Sequence, residues 1–380
     1  MRYVKLKDLV FIANSFPQIR ILKWLNYFSD KGWNVHLFVC KGDLNKQSVW
    51  IHDYNIYEFG EGNKLDMNPF SFKRYKKIKN LISDHDIKPD LIVVRDIFQS
   101  NVAIKISKQL KVPVILDIAD NYPEVSKQLI RFPLNKFISS FYNFVEHIAV
   151  KNANLVVTVT NTSASLIKDK HKVASENIVT VRNLPPMETV ELIEKNNTSV
   201  VDKIVYIGTY SAKIRDLNTV IKSLPIIEKK LKRVIQLDIF TFNIEKVELL
   251  AKSILGETYS KYVNISGPIK NHLLHNELKK YTAGVIPHYR GSGTDYTEPN
   301  KLYDYVHSQI PVIVSDNPSL VETVNKYRVG EVFQAQNVTD FTNKVIKVYK
   351  NKDIYKINCN KYRKELVWHE DMNNVKWFIK

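Results

Sequence analysis

The chain carries two cysteines in 380 residues, Cys40 and Cys359, in distant segments. That distribution indicates neither a disulfide framework nor a zinc site. Cys40 ends an apolar strand-like run and reads as a core thiol. No apolar stretch approaches the ~20 residues that span a bilayer. Lys5, Lys7 and Asp8 interrupt any signal-peptide core at the N-terminus, so the chain is expected to stay in the cytoplasm. No Gly-x-Gly-x-x-Gly follows the first strand-like run, which argues against a dinucleotide oxidoreductase. A Gly-x-Ser-x-Gly elbow for acyl transfer is missing too. So are zinc-finger spacing, RNP-like aromatic strands and a basic zipper, which disfavours nucleic acid as a partner.

Positive charge is what the chain has in excess, with a formal net charge of +17. Such an excess draws phosphorylated substrates and anionic lipid surfaces, although a lysine-rich composition throughout the chain would also produce it. The hydrophobic and charged fractions, 44% and 25%, are those of a globular protein. The length suits two domains, each large enough for its own core.

Strand-like apolar runs alternate with helical stretches, the pattern of α/β units around parallel sheets. Strands are expected at Leu9–Ala13, Val35–Cys40, Leu91–Val94, Val112–Ile118 and Leu155–Thr160. Helices are expected over Ile19–Lys31, from Ser71, and over Leu134–Lys151. A polar stretch with a Pro-Pro pair suggests a linker over 186–202. The alternation then restarts with strands at Lys203–Ile207, Ile235–Phe240 and Tyr262–Ile265 and around Val285 and Val312. The expected division is 1–185, the linker, 203–360, and a C-terminal helical segment 361–380 that packs on the first domain. Ligands in such sheets bind beyond the carboxyl ends of the strands.

The run from Glu298 to Asn317 is the most informative. It reads as a loop, a helix opened by Pro299, a turn at Pro311 and a buried strand from Val312. A loop-to-helix junction offers unpaired N–H groups and partial positive charge to a phosphate. Helical spacing puts Asn300, Lys301 and Asp304 on one side and Leu302 and Val306 on the other. A cation at the helix start with a carboxylate one turn later suits a diphosphate and a ribose diol, but an ordinary solvated αβ unit has the same pattern.

Five segments of the second half resemble the nucleotide-sugar domain of retaining glycosyltransferases of the two-domain GT-B fold, especially those grouped as family four. They are Val205–Thr209, Ile265–Pro268, Ala283–Pro287, Pro299–Tyr305 and Ile310–Val314. In the first half, Asp117–Glu124 is similar to an Asp-x-His-Asp-x-x-Pro-Glu loop of those enzymes. Trp368-His-Glu370 resembles the start of their last helix, which crosses back to the N-terminal domain. The resemblance implies two Rossmann-like domains facing a cleft whose closure excludes water. It implies further that Asp304 holds the donor ribose and that basic groups hold the diphosphate.

The chain departs from that pattern in several places. Tyr296 stands where the first acid of the family's paired-glutamate motif would be, and Glu298 is the nearest substitute beside the donor sugar. Gly208 is followed by Thr209 rather than arginine, so the diphosphate falls to Arg215, with Lys213 as rival, and to Lys301. The loop His288–Asp295 has Gly291 and Gly293, whose N–H groups could form an anion nest. Gly267–Ile269 is where the family reads the base through its backbone. Ala119 replaces a family histidine and the loop Ala13–Pro17 has no glycine, which leaves Asp120 as the carboxylate on the acceptor side, or as a cap of the next turn.

Asp84-His-Asp86 has the spacing of a manganese motif but lies in a polar loop, and His272 and His275 have no acidic partner of metal-site type. No metal or other cofactor is therefore expected. Phe137, Phe141 and Phe144 recur at helical spacing near basic residues. They either face the core or place the chain on an anionic membrane at the inner face. The reading is a retaining, metal-independent transferase that moves a sugar from a nucleotide diphosphate donor to a glycan or lipid-linked glycan. The alternatives are an epimerase or hydrolase of the same fold, and a degenerate, non-catalytic subunit.

Overall fold

The computed structural model describes residues 6–15, 18–40, 54–60, 68–187 and 202–379. The expected linker falls almost wholly outside them. The chain divides into two compact units, Met1–Arg182 with Asp371–Lys380, and Asn183–Glu370.

In the first unit, strands β1 (Asp8–Ala13), β2 (Asn34–Val39), β3 (Asn55–Glu58), β4 (Pro89–Arg95), β5 (Val114–Ile118), β6 (Leu155–Thr158) and β7 (Ile178–Thr180) form one sheet. Its order is β3-β2-β1-β4-β5-β6-β7, and every pairing in it is parallel. Strands β1, β4 and β5 are continuous apolar runs because helices cover both faces of a parallel sheet. Those helices are α1 (Ile19–Asp30), α2 (Phe72–Asp84), α3 (Ser100–Leu110), α4 (Tyr122–Leu129), α5 (Leu134–Asn152) and α6 (Asn161–His171). The chain's last segment, from Asp371, also belongs here: Arg182 donates to both carboxylate oxygens of Asp371 at 2.6–2.9 Å, and Asn374, in the last helix (Asn373–Ile379), bonds the carbonyl of Thr180 at 2.9 Å.

The second unit repeats the design with β8 (Lys203–Ile207), β9 (Gln236–Phe240), β10 (Val263–Ser266), β11 (Ala283–Ile286), β12 (Val312–Ser315) and β13 (Gly330–Phe333). The order is β10-β9-β8-β11-β12-β13. In each sheet the order reverses beside the first strand, at β1/β4 and at β8/β11. At such a point neighbouring connections leave in opposite directions and open a crevice.

Tyr305 holds the second crevice open. The pairing of β8 with β11 covers only Ile204 and Val205. Beyond it the Tyr305 hydroxyl donates to the Val205 carbonyl at 3.3 Å and accepts the Ile207 N–H at 3.1 Å. It thus satisfies backbone groups that the separating strands leave behind. Its ring lies so close to Gly284 that any Cβ there would sit 2.4 Å from it. Only glycine fits.

Candidate functional site

Three segments meet at the β8/β11 crevice. The chain leaves β8 through Gly208, whose φ of +114° is a conformation that side-chain-bearing residues rarely adopt. The same loop carries Arg215, which forms an isolated bridge with His288, the second residue after β11. The third segment is helix α7 (Asn300–His307). Pro299 is not its first residue, as expected from the sequence, but precedes it with an extended ψ of 144°. No side chain caps this end, so the leading N–H groups are those of Asn300 and Lys301.

Lys301 is folded back under the glycine. Its Nζ would lie 3.1 Å from a Cβ on Gly208 and sits 4.1 Å from the centroid of the Tyr206 ring. Burial, and then the charge of Arg215, pull the Lys301 pKa well below that of an ordinary lysine, with Asp304 opposing the shift. Burial also lowers the Arg215 pKa. His288 Nε2 is bonded to the Arg215 guanidinium. Burial, Arg215 and Lys301 together keep its imidazole neutral by lowering its pKa far below 6.5. Two basic side chains whose charged forms burial disfavours and a neutral histidine thus share a largely buried position, with Asp304 as the carboxylate that acts on Lys301. An anion brought to such a cluster would favour the charged forms of both side chains.

The other expected donor residues lie around this centre. Thr209 is exposed and its carbonyl accepts the Tyr206 hydroxyl at 2.8 Å. Asn300 is exposed at the helix start, and Asp304 is half-buried one turn on. Gly267 lies in the exposed loop after β10, with open space where a side chain would be, while Ile269 packs against the core. Glu298 is buried, and its carboxylate accepts the hydroxyls of Tyr303 and Thr323. That ties the start of α7 to the following helix, α8 (Pro318–Tyr327).

The Gly291–Gly293 loop differs from the expected anion nest. The Gly291 N–H is directed at Asp295 Oδ1 at 3.3 Å, and Arg290 pairs with both oxygens of the same carboxylate at 2.9 and 3.1 Å. Asn317 holds that carboxylate from the other side at 2.8 Å. The Gly291 amide is thus engaged by the chain's own Asp295, four residues on. His288 was not singled out from the sequence. Its position two residues past a buried strand at the order reversal was the available signal.

The β1/β4 crevice of the first unit is built differently. Asp117, at the end of β5, accepts Arg20 Nε and Nη2 at 2.5–3.1 Å, Trp24 Nε1 at 3.1 Å and Arg95 Nη1 at 3.4 Å. Asp96 follows β4 with φ +59°. It accepts Arg95 Nε at 3.2 Å, the Ala119 N–H at 3.3 Å and the Tyr122 hydroxyl at 3.3 Å. Burial, with Asp120 and Asp117 opposing its charge, raises its pKa to about 6. Asp120 itself is exposed beside this cluster. Asp84 and Asp86 flank an exposed turn in which Asp86 pairs with Lys88 at 3.2 Å, and His275 bonds Ser308 at 2.9 Å.

Each of the two parallel α/β units has its crevice at the order reversal of its sheet, and the second carries a largely buried basic cluster at a helix start. Comparison with known proteins identifies the family. The family description Glycosyltransferase Family 4 matches residues 18–184, and Glycosyl transferases group 1 matches 191–366. The chain belongs to the GT-B glycosyltransferases and is a glycosyltransferase. No curated relative matches the sequence. Among solved structures, sucrose-phosphate synthase from Thermosynechococcus elongatus superposes with a TM-score of 0.73 at 14% identity, covering 98% of each chain. Anabaena HepE in complex with UDP gives 0.73 at 10% identity, covering 98% of this chain and 99% of that one. The lipopolysaccharide outer core galactosyltransferase WaaB gives 0.66 at 15%, covering 98% and 100%. At these identities the likeness is one of fold.

Proposed function

We propose that the chain is a retaining, metal-independent glycosyltransferase that moves a sugar from a nucleoside diphosphate donor to a glycan or lipid-linked glycan in bacterial surface polysaccharide synthesis. The observation that carries this reading is the Lys301 ammonium under Gly208, beside Arg215 and a neutral His288. As the glycosidic bond breaks, the diphosphate leaving group gains charge, and prepositioned cations in a water-poor pocket stabilise that charge most. Lys301, Arg215 and the N–H groups at the start of α7 supply what a divalent ion supplies elsewhere. Among the described residues no three His, Cys, Asp or Glu side chains gather into a metal-binding group. Asp304 is assigned to the ribose hydroxyls, Gly208 and Thr209 to the phosphates, Gly267 and Ile269 to the base, and Asn300 to the helix-start anion site. Glu298, oriented by Tyr303 and Thr323, is assigned to the donor-sugar side and Asp120 to the acceptor side.

A solved structure described as a putative UDP-N-acetylglucosamine 2-epimerase from Listeria monocytogenes shares the fold at a TM-score of 0.59. The family matches over both halves favour transfer. The decisive experiment incubates a panel of nucleotide sugars with and without lipid-linked and glycan acceptors, in the presence of EDTA. Transfer requires an acceptor for turnover and is indifferent to the chelator. Complete consumption of donor without acceptor would establish epimerisation or hydrolysis instead.

A further inference from the structure

Helix α5 is fixed to its unit by one end and one side. Val145, Ala149 and Val150 are buried, Glu146 bonds His171 at 2.8 Å and Lys170 at 3.1 Å, and Ser139 bonds the Pro123 carbonyl at 2.9 Å. The opposite face of its first half is apolar and uncovered among the described residues. Leu134, Phe137, Phe141 and Phe144 fall within one arc of the helix at ~100° per residue, and Phe137 and Phe144 are 71% and 56% exposed. Phe132, just before the helix, is 73% exposed. Phe70, on the segment leading to α2, lies 6.3 Å from Phe144 and extends the patch.

Soluble proteins seldom leave six large apolar side chains together in water. The charges around this patch say what covers it. Residues 68–80 and 127–145 contain no aspartate or glutamate, but expose Lys73, Lys76, Lys77 and Lys79 in the first stretch and Arg131 and Lys136 in the second, while Arg74 is buried and Lys127 pairs with Glu124 at 2.8 Å. Lys136 lies over the Phe132 ring at 5.3 Å, and Lys76 and Lys105 lie over the ring of exposed Phe72 at 5.0 and 4.9 Å. Aromatic rings with lysines beside them match the boundary of an anionic bilayer, where rings enter the acyl region and ammonium groups meet the headgroups.

We infer that the first half of α5, with Phe132 and Phe70, is a docking surface for anionic lipid bilayers. No helix among the described residues is long and apolar enough to cross a membrane, so attachment is to one leaflet. Adhesion through this surface does not depend on the transfer reaction.

Sedimentation of the full chain with phosphatidylcholine vesicles, with and without phosphatidylglycerol, tests it. The chain is expected to partition onto the anionic vesicles and to be released by salt. Phe137→Ser with Phe144→Ser, both in exposed positions, should weaken that partitioning about tenfold or more. Lys73→Gln with Lys76→Gln should weaken it about fivefold per lysine, while Leu249→Ser, at an exposed position in the second unit, leaves it unchanged. Equal partitioning onto neutral and anionic vesicles, or unaltered partitioning of the phenylalanine variant, would overturn the assignment. So would self-association on size exclusion that the variant abolishes while the wild type ignores vesicles, since the patch would then join two copies of the chain.

Discussion

The two units share a topology, and each buries charge at the order reversal of its sheet, but they complete that charge in opposite ways. In the first, Arg20 and Arg95 are matched by Asp96 and Asp117 through short, mostly buried contacts. In the second, Lys301 and Arg215 face a neutral histidine, and their pKa values are depressed by burial. A matched cluster is scaffolding, because removing a partner strands a buried charge. The second, in which Asp304 is the carboxylate acting on Lys301, is the one we assign to a ligand. The contrast teaches that burial of charge is not itself a functional signal; how far the charge is balanced is what separates the two units.

Removing the match should have the largest effect. Asp117→Ala leaves Arg20 and Arg95 without their shared acceptor and should cost about 3–5 kcal/mol, read as a lower urea midpoint for the first unit, with nucleotide affinity unchanged. A loss below about 1 kcal/mol, the range of exposed pairs, would erase the distinction. Lys301→Met should show the reverse pattern. Nucleoside diphosphate affinity falls roughly 100-fold as a charge-assisted contact is lost, and the thermal midpoint holds or rises because an incompletely paired buried ammonium is gone. If that variant melts earlier and binds normally, Lys301 belongs to the scaffold.

The pH dependence should also differ in sign between the units. Asp96 has a folded pKa raised to about 6, above its value in an unfolded chain. Its contribution is therefore greatest below ~4 and is lost as pH rises through about 6. His288 has a folded pKa far below 6.5, so its contribution is present above ~6.5 and is lost as pH falls below that value. Asp96→Asn should flatten the first slope and His288→Gln the second, in unfolding curves measured from pH 4 to pH 8. The smallest effect is expected at Glu298. Glu298→Gln keeps an acceptor for Tyr303 or Thr323 and should lower kcat by less than the roughly 100-fold that a general acid or base supplies, with KM unchanged. A shift in KM alone would limit Glu298 to holding the start of the helix.

Much of the architecture was legible because continuous apolar runs such as Val205–Ile207 and Leu91–Val94 admit few readings besides buried parallel strands. Two of the four edge strands were not, although Ile178–Thr180 and Val263–Ser266 at the other edges were. Asn55–Glu58 is half-exposed and polar, and Gly330–Phe333 begins with a glycine, so neither has a distinct pattern. Within the candidate site, Lys301 and Asp304 were singled out by helix spacing, and Arg215 by the family resemblance. His288 and Asp96 were not, because each owes its character to partners distant in sequence: Arg215 for the histidine, and Ala119 and Tyr122 for the aspartate. The bond from the Gly291 amide to Asp295 was not read either, although both lie in one loop. The phenylalanines of α5 had two readings by periodicity, core or surface, and only burial shows that they face outward.

Calorimetric titration of UDP, ADP and GDP into the chain, in buffers of different ionisation enthalpy between pH 7 and pH 9, meets the central claim most directly. If the pocket around Lys301 is completed by a diphosphate, the nucleotide that binds will bring a proton with it. That uptake will grow with pH and disappear in Lys301→Met. Tight binding with no proton uptake at any pH, or uptake that survives the substitution, would contradict it.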